Sequence, residues 1–163
     1  MENPNKNLFD CQRMFRHACA FSDCADFAMK EFQPDIIDVA WYTTPAIVNS
    51  AFACEVFLKT LILFHGITAK KQHGIKELYE ILPADTKEWL KEATIADYGG
   101  GWIDPFGRTR LEGISDAFVQ WRYSYEQMGS LNVDMGFLAA FRNSLREVCC
   151  RKLFYMTWKE YKQ

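Results

Sequence analysis

The chain has 163 residues, 49% of them hydrophobic and 15% aromatic, with a formal net charge of −2. That length and composition predict one folded domain over residues 1–163 with a bulky core, and they exclude a disordered chain. The charge sets up no global attraction to nucleic acid or membrane. It is uneven, however: residues 137–163 carry Arg142, Arg146, Arg151, Lys152, Lys159 and Lys162 against Glu147 and Glu160, a local +4 that leaves −6 for the remainder.

Six cysteines (Cys11, Cys19, Cys24, Cys54, Cys149, Cys150) include no Cys-x-x-Cys pair and no histidine interleaved at zinc-ligand spacing. Cys11, Cys19 and Cys54 fall at apolar helical positions, where a free thiol packs as a small hydrophobe. This is the pattern of a reduced, cytoplasmic protein rather than a disulfide framework. The opening MENPNKNLFD carries no basic-then-apolar leader.

Taken in order, apolar residues recur at helical spacing from Leu8 through Cys11, Phe15, Ala18, Ala25 and Met29 to Phe32, predicting a first helix over 8–32. Gln33-Pro34-Asp35 ends it, because proline cannot continue the ladder. Ile36–Tyr42 reads as a connector. Thr44 and Pro45 read as the N-cap and first residue of a second helix that stops at Gly66. That helix is apolar over most of its circumference and, from Ala46 to Phe64, about as long as a membrane span. Asn49, Ser50, Glu55, Lys59 and Thr60 within it favour the central helix of a bundle, with no membrane partner.

A basic loop with Lys70 and Lys71 leads to a short amphipathic helix over His73–Leu82. Pro83 ends this helix, and Asp85 with Glu88 forms a capping-box pattern for another reaching about Tyr98. Gly99-Gly100-Gly101 and WIDPFGR make a loop; no strand follows it and no Lys-Ser/Thr closes it, so it is not a phosphate loop. Thr109 with Glu112 is a second capping-box pattern. It opens a predicted helix with the stripe Leu111, Ile114, Phe118, Trp121, Tyr125 and Met128, ended by Gly129. A last helix is expected over about Val133–Tyr161, with Phe137, Phe141, Leu145, Val148, Tyr155 and Met156 inward. No alternating strand pattern stands out. The expected fold is all-α: an antiparallel helical bundle of three or four long helices plus short ones.

The polar residues set into this apolar pattern are the candidate functional groups. Glu55 and Lys59 stand four apart in the favourable order for an ion pair. Burying them requires partners, and Arg122 and Glu126 beside the later stripe could close a network with them. The competing reading gives some of these groups to a ligand. His73, following two lysines, either caps its helix or meets a phosphate there. Cys149-Cys150 reads as one inward and one partly exposed packing residue. No Glu-x-x-His pair exists for a di-metal centre, and no metal or cofactor is expected.

Three stretches in this order, Ala53-Cys54-Glu55-Val56-Phe57-Leu58-Lys59-Thr60-Leu61, His73-Gly74-Ile75-Lys76-Glu77-Leu78-Tyr79 and Phe118-x-x-Trp121-Arg122-Tyr123-x-Tyr125-Glu126, resemble the HEPN family of small helical domains. The resemblance covers about residues 8–160 in helix order. It implies a bundle, often a homodimer, in prokaryotic defence, toxin–antitoxin or nucleotide- and RNA-linked systems, with RNA, a nucleotide or a protein as partner. It also marks Glu55, Lys59, His73, Arg122 and Tyr123 as candidate ligand contacts. Many members are metal-independent ribonucleases that use an Arg followed four to six residues later by His. Here Arg142-Asn143 is present, but Glu147 stands in the place of the histidine. A carboxylate repels the scissile phosphate and lacks the imidazole's proton exchange near neutral pH. The expectation is therefore a non-catalytic binding domain. The alternatives are a ribonuclease with a degenerate motif at Arg142 and Glu147, or other groups such as Arg146, His73 and Lys59, and a purely structural helical partner.

Overall fold

The computed structural model describes residues 4–31, 40–68, 71–99, 108–126 and 132–163, and among these every regular element is helical. In chain order these are α1 (Pro4–Lys30), α2 (Ala40–Phe64), α3 (Ile75–Ile81), α4 (Ala84–Tyr98), α5 (Arg108–Ser115), α6 (Ala117–Arg122), a 3-10 turn (Ser124–Glu126), α7 (Met135–Phe154) and α8 (Trp158–Tyr161). The all-α expectation holds.

The core is built on α2. Ile47, Ala51, Cys54, Phe57, Leu58, Leu61 and Ile62 are each at most 1% exposed. The helix is long and apolar enough to cross a membrane by length and composition, yet this apolar surface is packed against the other helices. Cross-contacts fix the directions. Cys11 Sγ meets the Thr60 carbonyl, Phe15 meets Phe57 and Phe21 meets Phe52, so α1 and α2 run antiparallel. Ser50 meets Arg142 and the Phe57 carbonyl meets Cys149, so α2 and α7 share a direction. Tyr98 packs on Phe137 and Asp97 bonds Asn143, with Trp89 facing Arg151 and Lys152 further along α7. Thus α4 returns antiparallel to α7.

Several boundaries differ from the sequence reading, each for a local reason. α2 begins at Ala40, so Thr44 is not its cap and Pro45 lies inside it. A proline this near the start forfeits a single ladder bond, and its own carbonyl accepts the Asn49 side-chain amide at 2.8 Å. Gly66 does end α2, at φ +68°, with its N–H on Leu63 O and that of Ile67 on Ile62 O, a Schellman closure. α4 starts at Ala84 with Pro83 as N-cap, which places Asp85 in the first turn rather than at the cap.

The predicted stripe from Leu111 to Met128 is not one helix. It breaks at Asp116 and again at Tyr123, and Tyr125 is 78% exposed. Ser115 is held at the first break, accepting the Lys76 backbone N–H and donating to Glu77. Thr109 is already inside α5, and Met128 and Gly129 lie outside the described residues, as do Gln33-Pro34-Asp35 and the loop from Gly100 to Gly107.

The last helix is also split. Asp134 caps α7 by accepting the Phe137 N–H at 2.9 Å. Tyr155 turns left-handed at φ 57°, and Thr157 with Glu160 makes a full capping box for α8. Phe137, Phe141, Leu145 and Val148 are fully buried, whereas Tyr155 and Met156, expected inward, are exposed; so are Leu8 and Met29 at the ends of α1. Cys149 and Cys150 are both buried, not one of two.

Candidate functional site

On α2, Glu55 and Lys59 project from one face a turn apart. Lys59 Nζ donates to Glu55 Oε1 at 2.7 Å. His73, just before α3, places Nδ1 at 2.9 Å from the same oxygen. The imidazole and the ammonium group thus share one carboxylate oxygen. Glu55 is 3% exposed, and its second oxygen is buried without a hydrogen-bond partner among the described residues. The His73 side chain is 64% exposed and that of Lys59 25%. A buried carboxylate thus anchors two cationic or proton-carrying groups at the surface.

These groups border a groove of about 440 Å³, with Lys59, Lys71 and His73 as its polar walls and Met14, Ile62, Leu63 and Ile67 as an apolar floor. Two lysines face it over one neutralising carboxylate, so the groove attracts anions, and the floor suits a flat or aliphatic group attached to the charge. Lys71 was visible in the sequence only as part of a basic loop. Met14 gave no sign at all, because α1 reaches this site through tertiary packing.

Of the five residues marked in advance, Glu55, Lys59 and His73 come together; Arg122 and Tyr123 do not. Arg122 is not the counter-ion of Glu55. Its guanidinium lies over the rings of Phe118 and Tyr123, at 4.8 and 4.6 Å, on the exposed end of α6. A planar guanidinium stacks readily on adjacent aromatic faces, while Lys59 and His73 already satisfy the carboxylate oxygen. Glu126 is likewise exposed on the 3-10 turn rather than paired with Lys59.

The Arg-Asn motif of α7 is divided between two sides of its helix, since five residues turn it by about 140°. Arg142 is 3% exposed and points inward. It donates to Ser50 Oγ at 2.9 Å and forms an ion pair with Asp26. Asn143 and Glu147 instead line a separate cleft of about 340 Å³ with Asp97, Arg146 and Trp158. Glu147 is used structurally there: it pairs with Arg151 and accepts the Trp158 N–H at 2.9 Å, holding the start of α8. Arg142 and Glu147 therefore do not form a catalytic pair on one surface.

None of three comparisons, with protein-family models, with curated proteins and with solved structures, finds a match to this chain.

Nucleophilic chemistry has little support in the remaining groups. Burial pushes the thiols of Cys11 and Cys150 up to about 11 and those of Cys19 and Cys54 up to about 12. It raises Cys149 well above the usual range. Buried thiols of this kind stay protonated and unreactive. His65 is tied to Thr86 Oγ1 at 3.0 Å and is held below its ordinary value by burial first and Lys152 second, which suits a neutral tether between α2 and α4. Among the described residues no group of three or more His, Cys, Asp or Glu side chains is arranged to hold a metal ion.

Proposed function

We propose that the protein is a non-catalytic, HEPN-like binding domain whose groove at Lys59, Lys71 and His73 takes a nucleotide or the phosphate backbone of RNA. The observation that carries this reading is that Glu55 holds both Lys59 and His73, and that these two line one groove with Lys71 and with Met14, Ile62, Leu63 and Ile67. The lysines would contact phosphate and Met14, Ile62, Leu63 and Ile67 would face the base. Glu55 holds the cations in place rather than touching the ligand.

Calorimetric titration with mononucleotides, and anisotropy of a short labelled RNA at two salt concentrations, test the reading. Binding should weaken with salt, and Lys71→Glu, on an exposed loop residue, should weaken it about tenfold or more without changing the melting temperature. Absence of salt-dependent binding to either ligand overturns it.

A second reading rests on His73 itself. With Nδ1 2.9 Å from a buried carboxylate and the ring lining a groove beside Lys59 and Lys71, it has the arrangement of an oriented general base. RNA cleavage under EDTA that is lost in His73→Ala would favour a ribonuclease using this site instead of Arg142 and Glu147. If neither ligand binds and RNA stays intact, a structural role toward a protein partner is what remains.

A further inference from the structure

We infer that the cleft between α4, α7 and α8 binds a small zwitterion of the α-amino acid class, with its carboxylate on Arg146 and its ammonium on Asp97. Helical spacing builds the walls. Ala93 and Asp97 lie a turn apart on α4, Asn143, Arg146 and Glu147 share one side of α7, and Trp158 opens α8. The volume of about 340 Å³ suits a small molecule.

Arg146 sets the first requirement. Its guanidinium lies over the Trp158 ring at 4.6 Å, a stacking that fixes its plane. Among the described residues it makes one hydrogen bond, from Nη2 to Asn143 Oδ1 at 3.1 Å, and no ion pair. Its Nε is buried without an acceptor. Asp26 on α1 acts on it only from a distance and is itself paired with Arg142. Burial first, and the Arg142 guanidinium second, hold the Arg146 pKa below its ordinary value. A half-buried cation with no counter-ion is costly, and an anion entering the cleft relieves that cost.

Asp97 sets the second requirement. Its carboxylate is exposed at the cleft, and its partner among the described residues is an amide rather than a cation: Asn143 Nδ2, at 3.1 Å. Asn143 thus stands between the two charges, accepting from Arg146 and donating to Asp97. It holds them on one cleft without letting them neutralise each other. A plain anion drawn to Arg146 meets the repulsion of Asp97, and a plain cation drawn to Asp97 meets that of Arg146. A molecule with both charges on a single carbon, as in an α-amino acid, satisfies the two together. Glu147 does not compete for the ammonium, because its oxygens are taken by Arg151 and the Trp158 N–H. None of these residues lines the groove at Lys59, so this inference stands or falls apart from the ligand reading there.

Calorimetric titration of the full chain with each of the common α-amino acids tests it. At least one should bind. Its N-acetyl derivative, which lacks the ammonium, and its amide, which lacks the carboxylate, should each bind about tenfold more weakly or worse. Asp97→Asn keeps an acceptor for Asn143 but removes the charge. It should weaken the amino acid about tenfold and leave the N-acetyl derivative unchanged. Arg146→Gln should abolish binding of both, whereas Lys71→Glu, in the other groove, should leave both unchanged. Circular dichroism of each variant verifies that the helices are intact, and the exposed Asp97 carries the test if Arg146→Gln unfolds. No binding by any amino acid, derivatives that bind as well as their parent, or indifference to Asp97→Asn overturns the inference.

Discussion

Glu55 carries opposite demands at the scale of one residue. It is buried, and it is the shared acceptor for Lys59 and His73. Glu55→Ala should cost about 2 kcal/mol in urea unfolding, below the range for a fully buried pair because Lys59 can reach water. The same change should loosen the groove wall and weaken any anionic ligand, whereas Lys71→Glu should touch binding alone. The cysteines make a second prediction at this scale. Under native conditions a thiol reagent should titrate Cys24, the exposed one, and reach the five buried thiols only after unfolding. Their folded pKa values lie above the ordinary 9.0, so the folded state keeps protons that the unfolded chain releases. Stability should therefore hold below about pH 9 and fall as pH rises through 9 toward 11 or 12, a trend that thermal unfolding between pH 8 and 11 would reveal. Glu55 and Lys59 were legible in the sequence because charge inside an apolar run demands a partner, and His73 because it follows two lysines at a helix start; that His73 shares the Glu55 oxygen was not. Arg122 was misassigned because an arginine on an aromatic stripe has two outlets, and sequence spacing cannot distinguish stacking on Phe118 from pairing with Glu55.

At the scale of elements, the corner between α7 and α8 concentrates what helical periodicity does not predict. Tyr155 is 92% exposed and left-handed, a conformation that costs a residue with a Cβ about 1 kcal/mol. Tyr155→Gly should raise stability by about 0.5–1 kcal/mol, since almost no side-chain burial is lost; a fall in the melting temperature would mean that the ring has an undetected contact. The box of Thr157 and Glu160 that restarts the chain as α8 is a four-residue signature. It was masked in the sequence by the long apolar rhythm continuing across it. The reverse happened at Asp85 and Glu88, where a capping-box spelling sits one residue past the true start of α4. Long helices were thus readable from periodicity and their inner residues from spacing. The breaks at Asp116, Tyr123 and Tyr155 were not, because tertiary bonds such as that of Ser115 to Glu77 decide them.

At the scale of the whole molecule, the bundle is a central helix wrapped by others, and the sequence announced this through the even apolarity of α2. What it withheld was direction: α2 and α7 run the same way, which nothing in either helix alone encodes. It also withheld the inward turn of Arg142, which ties α7 to both α1 and α2. That arginine meets Ser50 from 92 positions away and Asp26 from 116. Contacts across such separations close late in folding, after helices and local hairpins have formed. Arg142→Ala should therefore leave the refolding rate nearly unchanged and accelerate unfolding by about tenfold or more in stopped-flow chevrons. A slowed refolding limb would instead place Arg142 in the nucleus. An unchanged refolding limb with faster unfolding would make Arg142 a latch, the contact that sets how long the folded bundle lasts once assembled.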